Sequence, residues 1–115
     1  MTGSYPIRVG EPGNLKRLHT VPHPQELTMA EVLKSAGYAT GAFGKWHNGS
    51  QWPYHPMARG FDTYFGHSSG HWGEYFDAPL EQDGKMIETT GYIVDVCTDK
   101  AVTFIESNKD RPFLC

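Results

Sequence analysis

Two stretches of the chain repeat their apolar residues at helical spacing, and each runs into a short apolar segment that reads as a strand. In the first, Met29, Val32, Leu33 and Ala36 fall on one stripe, the spacing of an amphipathic helix. Thr28 precedes the stripe and Glu31 follows three residues later. This is a capping box, in which the Thr hydroxyl accepts from the Glu31 N–H and the Glu31 carboxylate reaches back to the Thr28 N–H. Gly37 fits the left-handed position that closes such a helix, and Tyr38 to Phe43 follows as a strand. In the second stretch, Ile93, Val96, Cys97, Ala101, Phe104 and Ile105 keep the helical period over several turns, which predicts a longer helix starting at Thr89 or Thr90. Asp95 near its start and Lys109 near its end agree with the helix dipole. Pro112 stops it, and Phe113-Leu114-Cys115 reads as the beginning of a buried strand. Between the helices, Glu81 to Ile87 reads as a hairpin turned at Asp83-Gly84. Helices that run into strands are half of a parallel crossover, so the fold class is α/β.

The remaining segments carry little periodicity. Met1 to Glu26 holds Gly3, Pro6, Gly10, Pro12, Gly13, Pro22 and Pro24, a density that breaks helices and strands alike. An extended surface segment is expected there, with Arg8 solvated. Residues 50–79 are rich in aromatics and histidines, among them Trp52, Tyr54, His55, Phe61, Tyr64, Phe65, His67, His71, Trp72, Tyr75 and Phe76. Such a loop packs under its own rings, with Gly60-Phe61-Asp62 as an anchor. Alternatively it presents aromatic faces and imidazole donors to a sugar or an aryl ester. His67 and His71 have the spacing that converges on a metal when helical. The intervening Ser-Ser-Gly argues against a helix, and no metal ligand is assigned.

Composition narrows the picture. A chain of 115 residues, 38% apolar with 13 Gly and 8 Pro, allows one loop-rich domain. A net charge of −3 argues against nucleic acid or an anionic membrane as the main partner. No apolar run approaches the roughly 20 residues that span a bilayer, and Met1 is not followed by a signal-peptide pattern. Cys97 and Cys115 lack metal-type spacing and read as buried thiols rather than a disulfide.

The candidate chemistry lies in Gly41-Ala42-Phe43-Gly44-Lys45-Trp46-His47-Asn48-Gly49. If the strand stops at Phe43 and the chain turns at Gly44, Lys45 and His47 emerge together at the carboxyl edge of the sheet, where ligands of α/β folds bind. A point cation beside an imidazole suits a sulfate or phosphate ester, or an ionised nucleophile. The plainer alternative is a solvated Lys45 and a His47 that caps a loop.

Three segments in order resemble the sulfatase family of the alkaline-phosphatase-like superfamily: Thr28-Met29-Ala30-Glu31-Val32-Leu33-Lys34-Ser35-Ala36-Gly37-Tyr38, then Gly44-Lys45-Trp46-His47, then Gly60-Phe61-Asp62. Thr2-Gly3 is similar to the end of that family's nucleophile motif, C/S-x-P-S-R-x-x-L-x-T-G. The resemblance implies a partial catalytic domain over residues 1–115, part of an α/β/α sandwich with a loop-rich insertion. It implies a formylglycine nucleophile upstream of Met1 and calcium ligands beyond both ends. The substrate it implies is a small-molecule or carbohydrate sulfate ester. Lys45 and His47 would then hydrogen-bond the formylglycine hydroxyls and the sulfate, with Trp46, His67 and His71 as further substrate contacts. Asn48 departs from the apolar residue usual before Gly49. The parent would be periplasmic, secreted or lysosomal, and the fragment alone inactive. The alternatives are a phosphoryl-transfer member of the same superfamily and a non-catalytic binding remnant.

Overall fold

A computed structural model describes residues 1–5 and 25–115. The expected course of residues 6–24, including Arg8, lies outside the described residues. The elements are α1 (Met29–Ser35), β1 (Ala39–Lys45), a 3-10 turn (Pro56–Arg59), β2 (Thr63–His67), β3 (Leu80–Gln82), β4 (Lys85–Ile87), α2 (Ile93–Asn108) and β5 (Phe113–Leu114). The strands form one mixed sheet in the order β4-β3-β2-β1-β5. β1 is parallel to both β2 and β5, while β2, β3 and β4 run antiparallel in sequence. The expected α/β class holds.

The capping box forms as its residues dictate. Glu31 N–H donates to Thr28 Oγ1 at 3.1 Å, and Thr28 N–H donates to Glu31 Oε2 at 2.7 Å. Gly37 takes a φ of +87° just past the helix. The stripe expected to be buried is corrected, however: Met29 and Val32 are 54% and 51% exposed, and it is Ala30 that is buried. The short helix is held instead by polar ties. The Thr28 hydroxyl donates to the Arg59 carbonyl at 2.8 Å, and Lys34 pairs with Asp62 at 2.7 Å. Burial works to raise the Asp62 carboxyl's pKa, but the Lys34 ammonium and hydrogen bonds from Thr40 outweigh it and hold it below the ordinary carboxylate value.

Side chains alternate across β2 and so divide the sheet into two faces. Phe65 joins Ala78, Leu80 and Ile93 in the core, with Phe43, Val96 and Cys97 packed against it, so this face lies under α2. The neighbouring Tyr64 ring meets His55 edge-on, with centroids 5.7 Å apart. β2 was not expected, because Tyr64, Phe65 and Gly66 are all buried and a strand buried on both faces shows no polar alternation.

The Asp83-Gly84 hairpin is present, with both residues at positive φ. α2 begins at Ile93 rather than at Thr89 or Thr90. The Thr89 hydroxyl is bonded to the Ala78 carbonyl, and the Gly91 N–H to Asp77 Oδ1, which holds this stretch outside the helix. Phe113 and Leu114 pair with Ala39 and Thr40, so the short strand after Pro112 is present. The cysteines are corrected in part: both are free thiols, but Cys97 is half-buried and Cys115 is exposed.

Candidate active site

β1 extends two residues further than its apolar pattern suggests, through Gly44 to Lys45. Lys45 is therefore the last strand residue, and its register partner is His67, the last residue of β2. Trp46 N–H donates to the His67 carbonyl at 2.9 Å, carrying the ladder one residue past the end of β1. Adjacent strands lie about 4.8 Å apart, so the backbones of Lys45 and His67 are held side by side at the carboxyl edge.

Behind this pair stand two glycines, Gly44 and Gly66, directly opposite each other. A Cβ on Gly66 would overlap the Gly44 carbonyl. The Tyr64 hydroxyl donates to that same carbonyl at 3.1 Å. Burial, reinforced by the charge of Glu81, pushes the Tyr64 phenol far above its usual range, so it stays protonated and able to donate.

His47 is exposed, and its ring lies against Gly70. An ideal Cβ at Gly70 would sit 2.9 Å from His47 Nε2. His67 stacks on Trp72 with centroids 5.5 Å apart. Lys45, His67, Gly70, His71 and Trp72 share the wall of a cavity of about 500 Å³, whose other side is Phe43 with Ile93, Cys97 and Ala101 of α2. Four of the residues singled out from sequence, Lys45, His47, His67 and His71, thus gather around Gly70.

The fifth, Trp46, does not join them. Its side chain is buried, meets Phe61 edge-on, and its indole N–H donates to the Gly49 and Tyr54 carbonyls at 3.0 and 3.1 Å. Trp46 wedges the loop in place and offers no free face.

The site's electrostatics favour a cation, Lys45, beside a neutral His67. Burial, and then the Lys45 ammonium, depress the pKa of His67, against the opposing influence of the Gly70 backbone. His67 is consequently neutral at pH 7. Among the described residues, its buried Nδ1 and the buried Trp72 Nε1 have no hydrogen-bond partner, which is uncommon for buried polar atoms. His67 and His71 are separated by a bend, not a helix. Among the described residues no three His, Cys, Asp or Glu side chains come together to hold a metal ion, so these residues do not fit a calcium cage.

The family model for sulfatases matches residues 1–115. The chain belongs to the sulfatase family. Arylsulfatase G of Canis lupus familiaris is 48% identical over 67 residues, covering 58% of this chain and 10% of that protein. N-acetylglucosamine-6-O-sulfatase of Bacteroides thetaiotaomicron is 40% identical over 88 residues, covering 75% of this chain and 15% of that protein. The crystal structure of Ps i-CgsB superposes with a TM-score of 0.88 at 34% identity, covering 99% of this chain and 31% of that one. BT4656, solved in complex with its substrate D-glucosamine-2-N,6-O-disulfate, superposes with a TM-score of 0.77 at 34% identity, covering 99% of this chain and 22% of that one. These matches establish the alkaline-phosphatase-like fold. The sulfatase chain spans between about a tenth and a third of the lengths of these relatives.

Sequence reasoning missed two groups near this edge, Ser68 and Glu81. The Ser68 hydroxyl donates to Glu81 Oε2 at 3.1 Å, and Glu81 Oε1 is bonded to His55 Nε2. No local spacing marks them, since His55, Ser68 and Glu81 meet only through the sheet.

Proposed function

We propose that this chain is part of the catalytic domain of a sulfuric ester hydrolase, in which Lys45 and His47 hold the anionic end of the ester. The observation that carries this reading is the placement of Lys45 at the carboxyl end of β1, opposite His67, with His47 turned back onto Gly70. A cation beside oxygens that gain negative charge stabilises the transition state more than the ground state. His47, exposed and two residues away, is placed to donate a hydrogen bond to a sulfate oxygen or to move a proton during release. His71, exposed at the cavity rim, offers a hydrogen bond to the remainder of the substrate, and His67 contributes a neutral ring to the cavity wall.

The formylglycine and the calcium that sulfatases use come from outside the described residues in this reading. When bound, they supply the nucleophile and further positive charge. Sulfated carbohydrates are the favoured substrate class. The cavity combines aromatic walls with imidazole rings, and BT4656 was solved with a sulfated sugar.

The test is hydrolysis by the full-length protein containing this chain, assayed with matched sulfate and phosphate esters. Turnover of sulfate esters that falls with Lys45→Ala supports the proposal. Preference for phosphate esters would assign the site to phosphoryl transfer, and binding without turnover would leave a non-catalytic module.

A further inference from the structure

We infer that Glu81 is a positioning residue that clamps together the two loops carrying the candidate site. This rests on the reading of Lys45 and His47 as the anion-holding groups. The loop after β1 carries His47 and continues to His55, while the loop after β2 carries Ser68, Gly70 and His71. Glu81 stands on β3 opposite Gly66 and uses one carboxylate oxygen for each loop. Oε1 is bonded to His55 Nε2, and Oε2 accepts from the Ser68 hydroxyl at 3.1 Å.

The bonds define the proton positions. Met57 N–H donates to His55 Nδ1 at 3.3 Å, so Nδ1 is the accepting nitrogen and Nε2 carries the proton given to Glu81. His55 and Glu81 are little exposed, with side chains 5% and 12% accessible, so these bonds exchange slowly with water and hold geometry well. Elsewhere on the same loops, the His47 ring rests on Gly70. The two loops therefore touch at the site and are bolted at Glu81, behind it. Glutamate is required by reach: one carboxylate must span from His55 to Ser68, and aspartate is one methylene shorter.

The experiment uses the full-length protein with Glu81→Asp, Glu81→Gln, Ser68→Ala and the Glu81→Asp/Ser68→Ala double variant. The readouts are kcat and KM for a sulfate ester and the ring-nitrogen NMR signals of ¹⁵N-labelled His47 and His55. Loss of loop geometry predicts that Glu81→Asp lowers kcat/KM about tenfold and shifts both rings. Isosteric Glu81→Gln, which can still bond both partners, stays within about threefold. The double variant is no worse than Glu81→Asp, because both changes cut one clamp. If Glu81→Asp does not fold, Ser68→Ala cuts one arm alone and must still shift the His47 ring.

The proposal is overturned if Glu81→Asp or Ser68→Ala leaves His47 unmoved. It is also overturned if Glu81→Gln loses as much as Glu81→Asp, which would make charge rather than reach the operative property, or if the two single effects add independently. Absence of sulfate ester turnover in the unmodified protein would defeat the proposed function, while the ring signals would still decide the clamp.

Discussion

The His47 ring lies so close over Gly70 that a Cβ there would stand 2.9 Å from Nε2. Gly70 also has a φ of +93°, a conformation that costs other residues about 1–3 kcal/mol. Gly70→Ala is therefore expected to lower stability by about 1–2 kcal/mol and to displace His47. Displacement by a fraction of an ångström to 1 Å predicts a fall in kcat on the order of tenfold to hundredfold. Thermal melting and steady-state kinetics on the same sample separate the two effects, and unchanged kcat would show that His47 does not act from this position.

Lys45→Ala removes the cation at the end of β1. The expected loss is about 10²-fold or more in kcat/KM, with melting little changed because the side chain is exposed. Lys45→Arg should restore only part of it, since a planar fork does not replace a point charge. Full activity in Lys45→Arg together with weak loss in Lys45→Ala would point to general attraction of anions instead of contact with the reacting group.

Gly66→Ala should be among the most damaging single changes. The added methyl would overlap the Gly44 carbonyl, which is backbone and cannot swing aside. Overpacking usually costs about 1–3 kcal/mol, and here the expected cost reaches or exceeds the top of that range. Soluble yield and urea midpoint measure it. A melting temperature equal to that of the unmodified protein would contradict the close approach of β1 and β2.

Thr28→Ala removes both a helix cap and the hydroxyl that the Arg59 carbonyl accepts from. A loss of about 1–2 kcal/mol is expected, and Thr28→Ser should recover most of it. Calorimetry on the pair of variants tests this.

The depressed pKa of His67 gives stability a definite pH dependence. Above about 6.5, the ordinary imidazole value, both folded and unfolded states are neutral there and His67 contributes no slope. Below it the unfolded chain takes up a proton that the folded protein declines, so stability falls as pH falls. The decline ends once the pH passes the folded value. Urea midpoints between pH 8 and 5 should show this loss, and His67→Gln should reduce it. Lys45→Met removes a secondary cause of the depression, so His67 should titrate higher in that variant.

Much of this was legible from local chemistry. Thr28 and Glu31 cap their own helix, Asp83-Gly84 turns its own hairpin, and Gly44-Lys45-Trp46-His47 marks the site because the strand end and the glycine are adjacent in sequence. Other features were invisible for equally physical reasons. β2 is buried on both faces and shows no alternation. Met29 and Val32 look like core but lie on an exposed face of a helix held by polar ties. Trp46 looks like a ligand platform by its neighbours, yet its indole N–H is spent on the carbonyls of Gly49 and Tyr54. Glu81 joins residues that are 26 and 13 positions away, a relationship no spacing rule records.

The backbone ladder between Lys45 and His67 separates what must stay constant from what is free to change. Their spacing is set by β1 and β2, whereas residues 47–62 and 68–79 leave from those fixed points. Insertions or deletions in either loop alter the shape of the cavity wall without moving the two anchor positions. New specificities can arise on this scaffold by loop exchange, provided that Gly44 and Gly66 are kept and the graft retains a bolt equivalent to Glu81.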